Sequence, residues 1–335
     1  MLELGIEEKF MKIGLPSALL NQYYLSFFKP FFEKLSCEVI LSHETTKMIL
    51  DKGVRKMVPE MCAPMKIYAG HVIELLDLNI DYVYIPRFVS IRDKDAFCPK
   101  FMGLPDLLEH AIPELKNKIL TNNIISDSDD ICKVNNYKVL LEKLNIDKKV
   151  LYNAVCYARK KWLEYRKLCI IEKYNSIEAN NKVLYGIERK IKKQNIKIGV
   201  VGYVYDIYDD FISMNVLEKL SNLGVNTVTF EMLSENEIEK ELKRFDKKLF
   251  WTFSNKTIGS AYHFLEDKNI DGVIHVTAFG CGPDSFIGKY LELDSEKYNK
   301  PFMTLRVDEH TGENHLQTRL EAFVDMIAKL KSEVS

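Results

Sequence analysis

IKIGVVGYVYDIYDDFISMNVLEKLSNLGVNTVTF, residues 196–230, decides the fold class. Ile196 to Val201 is a short apolar run rich in β-branched side chains, the composition of a strand buried on both faces. Phe211 to Leu223 reads as a helix that ends near Gly224, and Val225 to Phe230 is the next strand. A strand, a helix and a second strand within one short stretch predict a parallel pair with a crossover helix, the unit of an α/β sheet.

The same alternation extends in both directions. Toward the C-terminus, Leu249 to Phe253, Gly272 to Thr277 and Pro301 to Arg306 read as strands, and His315 to Lys329 as a closing amphipathic helix. Toward the N-terminus, Met11 to Leu15, Glu38 to Leu41 and Tyr82 to Ile85 read as strands, the last stopped by Pro86. Ala18 to Leu35 and Lys66 to Leu78 read as the helices between them. From about residue 136 to 192 no strand candidate appears, and two or three helices with charged faces fit; Trp162 and Tyr165 are expected to pack there rather than to stack on a ligand. The expectation is α/β, with two doubly wound parallel-sheet domains, 1–130 and 193–335, around a helical segment, 131–192.

The bulk numbers exclude several classes. With 47 Lys and Arg against 48 Asp and Glu, there is no electrostatic reason to expect nucleic acid or an anionic membrane as partner. No apolar run is long enough to span a bilayer, and the N-terminus lacks the basic and apolar regions of a signal peptide, so a cytoplasmic protein is expected. The cysteine count is seven, an odd number in a chain large enough to need no staples; each cysteine is a packing residue, a reactive thiol or a metal ligand rather than part of a disulfide framework.

Three of the seven stand apart. Cys62 in VPEMCAPMK, Cys98 in FCPKFMGLPD and Cys281 in AFGCGPDS all neighbour proline or glycine and fall outside strand and helix interiors. Pro99 and Pro105 predict a fixed, non-helical turn after Cys98, whereas Pro283 and Asp284 suit the first turn of a helix. Ligands of open α/β sheets bind beyond the carboxyl ends of the strands, and the loops carrying Cys98 and Cys281 are there. By contrast Cys37, Cys156 and Cys169 sit at a strand start or inside helical patterns, and Cys132 in an acidic loop. From the residues alone the trio fits zinc, an iron–sulfur cluster, a nucleophile or coincidence, because no CxxC pair fixes the choice. A soft thiolate set favours zinc or iron–sulfur over calcium or magnesium, and three ligands leave one position open for reaction.

Several segments carry a resemblance: KIGLPSALL (12–20), VPEMCAPMKIYAGHV (58–72), DYVYIPR (81–87), CPKFMGLPD (98–106), DGVIHVTAFGCGPDS (271–285) and DEHTGENHLQTRLEAFVDM (308–326). Together they resemble the 2-hydroxyacyl-CoA dehydratase subunits and the double-cubane cluster proteins, and most of all a branch related to CoA-substrate-specific enzyme activases. That resemblance implies two flavodoxin-like domains and a [4Fe–4S] cluster, or a double-cubane form, on Cys62, Cys98 and Cys281. It also implies electron supply by an ATPase activator protein, and reductive dehydration of a small-molecule substrate through a radical, in an anaerobic setting. A related subunit or a second copy is the further partner it implies. No segment reads as a CoA-recognition motif. The alternative is a non-catalytic cluster carrier or scaffold for a larger paired protein; a small-ligand binding protein with vestigial cysteines is a third reading.

Other conspicuous residues fall at the same strand ends. Glu309 and His310, after the strand ending at Arg306, are the candidate catalytic pair, His310 as proton or hydrogen-bond donor. Tyr203, Tyr205 and Asp206 follow the strand ending at Val201, and Pro16 and Ser17 the first strand. Glu60 is expected either to reach an open iron or to cap the helix at Lys66. His71 and His275 are expected to be structural, and Arg319 to clamp the closing helix by pairing with a carboxylate. The two glycines 280 and 282 lack the third glycine of a dinucleotide fingerprint.

Overall fold

The computed structural model of the chain describes residues 10–92, 95–128, 130–190, 194–307 and 313–334. Its strands are β1 (Met11–Leu15), β2 (Cys37–Leu41), β3 (Tyr82–Tyr84), β4 (Arg87–Ile91), β5 (Asp95–Ala96), β6 (Ile119–Leu120), β7 (Asn123–Ile125), β8 (Ile196–Gly202), β9 (Val225–Thr229), β10 (Gly272–Ala278) and β11 (Phe302–Val307). The first sheet runs β2-β1-β3-β6 and the second β9-β8-β10-β11, with every pairing in both parallel. Taken in chain order, each half therefore places its strands second-first-third-fourth. That is the flavodoxin-like order, in which the binding crevice opens where the winding reverses, beyond the carboxyl ends of the first and third strands. All residues of β10 are buried, as its uninterrupted apolar run demands.

The third strand ends at Tyr84, ahead of Pro86 as expected, yet backbone pairing resumes around the proline. Ile85 donates to Leu120 at 2.9 Å and Arg87 to Asn122 at 2.9 Å, so the ladder passes the proline and continues as β4 alongside β7. Proline lacks an N–H, but here the residues on either side of it carry the bonds. β5 turns back antiparallel on β4 and ends at Ala96, whose N–H donates to the Phe250 carbonyl of the second half at 3.0 Å.

Elsewhere the elements depart from the sequence expectation for local reasons. Leu249 to Phe253 is not a strand: apart from a single bridge from Trp251 to Ala96, its end belongs to the helix Thr252–Glu266, which buries Phe253, Ile258, Ala261, Tyr262 and Leu265. The segment after Cys98 is helical too, as Pro99–Met102 and Leu104–Ala111, because both prolines sit in first turns where their missing N–H has no intrahelical partner to lose. The expected helix 211–223 divides at Met214 and Asn215, both left-handed, and the helix 18–35 breaks at Tyr24. The middle of the chain holds four helices among the described residues, the longest Lys148–Glu172, with no strand between them. No described helix is long and apolar enough to cross a membrane.

One hydrophobic cluster runs through both halves and the helical segment. Its hub is the helix Leu25–Lys34 with the turn before it. Phe28 and Phe32 pack edge-on to Tyr84 of the first sheet, and Tyr24 stacks on Phe88. Tyr23 meets Trp162 and Tyr165 of the long helix, and Phe230 and Phe253 of the second half. Trp162 and Tyr165 are themselves stacked and buried, the packing role expected for them.

The helix Ala63–Asp77 is seated by a backbone contact. A Cβ on Gly70 would stand 1.9 Å from the Ile49 carbonyl oxygen, and one on Gly53 1.7 Å from that of Lys66. Only glycine allows helices 47–54 and 63–77 to cross this closely. Gly70→Ala should therefore destabilise the protein by about 1–3 kcal/mol or more, the range of overpacked cores, as measured by urea unfolding; an unchanged midpoint would mean that the crossing is looser than described.

Candidate metal centre

Cys62, Cys98 and Cys281 occupy the same kind of position. Each is the N-cap of a helix with proline in its first turn: Cys62 of Ala63–Asp77, Cys98 of Pro99–Met102 and Cys281 of Gly282–Ser295. Their carbonyls accept the first helical bonds, from Met65 at 3.0 Å, Phe101 at 2.9 Å and Ser285 at 2.9 Å. Serine, threonine and aspartate are the usual residues here, since their oxygens accept from the free N–H groups of the first turn. A thiol in their place leaves those N–H groups, and the positive end of the helix dipole, directed at sulfur.

Cys98 follows β5, Cys281 follows β10, and Cys62 starts the helix that leads into β3. Burial raises the Cys62 pKa most; Lys100 and the Met65 amide work against that, while Asp206 and Cys98 add to the rise. Burial likewise pushes the Cys281 thiol far up, reinforced by Asp284, Asp206 and, more weakly, Cys62, with the Asp284 amide opposing. All three are unpaired and half-buried. Among the described residues, no three His, Cys, Asp or Glu side chains are grouped tightly enough to hold a single metal ion.

The surroundings are partly aromatic and partly acidic. Tyr203 and Tyr205 pack edge-on at 5.6 Å, and Tyr205 lies against Phe101 of the Cys98 helix at 5.8 Å. Asp206 is fully buried, and neither carboxyl oxygen has a hydrogen-bond partner. Burial, and then the nearby Asp284, hold it well above the ordinary carboxylate range, against the Ala278 amide, which favours the charged form. On the Cys281 side, Gly280 takes a left-handed conformation with φ 76°, and no protein atom comes within 4 Å of where a Cβ would stand on Gly280 or Gly282. This turn borders open space, not a packed neighbour.

The remaining expectations divide. His275 is buried with Nε2 3.0 Å from Asp284 Oδ1, but its Nδ1 has no partner, so it is only half satisfied. His71 is buried and bonded through both ring nitrogens. Glu60 is exposed and does not cap the helix, because Cys62 occupies the cap. Arg319 donates to the Thr304 carbonyl at 2.9 Å; residues 308–312 of the loop whose carboxylates were expected to pair with it lie outside the described residues. Glu309 and His310 lie outside the described residues. Sequence reasoning passed over Lys100, whose signal was its place two residues beyond Cys98. It also passed over Ser42, Thr45 and Asp209, which are commonplace residues in loops.

Two family profiles match the chain. The CoA enzyme activase uncharacterised domain matches residues 12–233, which include Cys62 and Cys98. The 2-hydroxyglutaryl-CoA dehydratase D-component matches residues 169–327, which include Cys281. No curated protein matches the chain.

Asp206 gives this centre a pH signature. Its folded pKa is raised, so its contribution to stability is full below the unfolded value of 3.8 and is lost as pH rises above it. Asp206→Asn should accordingly raise the unfolding free energy at pH 7.5 by about 1 kcal/mol, as measured by urea unfolding, and the gain should shrink toward pH 4. A variant less stable than wild type at pH 7.5, with no gain relative to pH 4, would overturn this.

Proposed function

Because the chain belongs to the CoA enzyme activase uncharacterised domain family, we propose that it is an iron–sulfur protein of the dehydratase type, with Cys62, Cys98 and Cys281 as its cluster ligands. On this reading it takes low-potential electrons from an ATP-dependent activator and uses them to reduce, or reductively dehydrate, a small substrate. The observation that carries the reading is the placement of three thiols, drawn from both halves, at three helix N-termini beside an open turn. The similarity of residues 169–327 to a 2-hydroxyglutaryl-CoA dehydratase component adds the reaction class.

The residues fit such a group. Thiolates around one tetrahedral zinc lie about 3.8 Å apart, given a Zn–S bond near 2.3 Å, whereas a four-iron cube holds its ligands wider. Thiolates on a cluster are anionic, and three helix N-termini supply opposing partial charge without a buried cation. Lys100 adds a full positive charge near Cys62. When bound, the cluster would supply one-electron reduction at low potential. The protein's part is to hold the sulfurs, to screen the site with Tyr203, Tyr205 and Phe101, and to keep a proton on Asp206 beside it. Glu309 and His310 are proposed to pass protons to the substrate.

A second reading, a carrier that hands electrons to a larger subunit, is favoured by Phe279 and Phe286. They flank Cys281 and are 67% and 59% exposed, as an interface residue would be in the free chain. Turnover by the isolated chain with an activator would exclude it.

Anaerobic reconstitution should load iron and sulfide onto the wild type. Cys62→Ser, Cys98→Ser and Cys281→Ser should each lower bound iron by more than half, and Cys156→Ser should leave it unchanged. Since the Cys62 and Cys281 thiols ionise above their ordinary range, loading should release protons and improve as pH rises from 7 to 8.5. Wild-type protein that binds no iron would sink the proposal, as would a triple serine variant that binds as much as wild type.

A further inference from the structure

A chain of hydrogen bonds crosses from the first half to the second, away from the cysteines. The Ser17 amide donates to Ser42 Oγ at 2.7 Å. Ser42 Oγ lies 2.8 Å from His71 Nδ1, and His71 Nε2 lies 2.9 Å from Thr45 Oγ1. Thr45 Oγ1 donates to Asp209 Oδ2 at 2.6 Å. Ser17, Ser42, Thr45 and His71 belong to the first half, and Asp209 to the second.

With Asp209 ionised, the sense of every link is fixed. A carboxylate only accepts, so the Thr45 hydroxyl must donate to it. Thr45 then accepts from His71 Nε2–H, which leaves Nδ1 to accept from the Ser42 hydroxyl. Serine, threonine and imidazole can all exchange donor and acceptor roles. We propose that this chain is a proton-operated clasp between the two halves, running toward Asp209 when the carboxyl is ionised and away from it when the carboxyl is protonated. In the second sense Asp209 donates to Thr45, Thr45 donates to His71 Nε2, and His71 Nδ1–H donates to Ser42. One proton has entered at Asp209, the imidazole has changed tautomer and stays neutral, and the Ser42 hydrogen has lost its acceptor. Protonation thus keeps the number of bonds in the joint but removes the charge that strengthened the one at Asp209.

The setting places that change near neutrality. Asp209 is buried, and burial raises it to about 6 despite the bonds that it accepts from Thr45, Ile212 and Phe211. Burial lowers His71 to about 4. Within this window the proton therefore resides on the carboxyl and not on the imidazole, the reverse of their ordinary order. The charged groups around Asp209 are Asp210 and Asp206 on its own segment and Glu44 from the loop after β2, with Glu218 acting on Asp210. Around His71 they are Glu74 and His43, which bond to each other at 3.1 Å. No lysine or arginine lines the cavity of about 250 Å³ that Asp209, Asp210, Glu44 and Thr45 share.

Asp209→Asn is a built-in mimic of the protonated state. Asp209 Oδ1 accepts from the Phe211 and Ile212 amides at 3.0 and 3.1 Å, so the asparagine oxygen must stay there and its NH₂ must face Thr45 as a donor. The test is the nitrogen chemical shifts of His71 in full-length protein carrying ¹⁵N-histidine. In the wild type, the Nε2–H tautomer at pH 7.5 should give way to Nδ1–H at pH 5. Asp209→Asn should show Nδ1–H at both, and Thr45→Val, which cuts the chain, should show one tautomer at both. A wild-type tautomer that stays the same from pH 7.5 to 5 would overturn the clasp, whatever the variants do. So would Nε2–H in folded Asp209→Asn.

Discussion

The buried ring of Tyr23 is where the three parts of the molecule meet. It packs edge-on against Trp162 at 5.5 Å and Tyr165 at 5.9 Å from the long helix and against Phe253 of the second half at 6.3 Å, and lies tilted against Phe230 at 6.0 Å. Next to it, Tyr24 stacks on Phe88 of the first half. Aromatic contacts of this kind are directional as well as apolar, so they fix orientation and not only proximity. The candidate centre depends on that fixity, because Cys62 and Cys98 come from one half and Cys281 from the other. Two halves that merely touched would leave the sulfurs free to drift apart.

The centre itself balances two opposing tendencies. Burial and the two acids, Asp206 and Asp284, favour protonated thiols; helix N-termini and Lys100 favour thiolates. At Cys62 and Cys281 the first set prevails, which holds these thiols above their ordinary range and makes them weakly nucleophilic. A thiophilic iron group would reverse the balance by replacing the protons.

Much of this was legible before the fold was known. The apolar runs at β1, β8, β10 and β11 gave strands within a residue or two, since a strand buried on both faces leaves an unambiguous composition. The cysteine trio was separable from Cys156 and Cys169 by its proline and glycine neighbours, which turn out to be helix-start residues. The errors came where local signals have two meanings. LFWTF is as good a strand start as a helix start, and proline after Cys98 reads equally as a turn or as a first helical turn. Glu60 is close in sequence to the helix start, but Cys62 takes the cap.

Composition and order alone therefore determined the two parallel sheets, the helical segment between them and the identity of the thiols that stand outside regular structure. Only the tertiary structure decided that Asp206 is fully buried, and that Thr45 of one half bonds Asp209 of the other across 164 residues of sequence. The reason is physical. Periodicity records which face of each element is apolar, because that is a property of neighbouring residues. Burial of a carboxyl, or the meeting of two loops, is a property of segments far apart in the chain, and no local pattern encodes it.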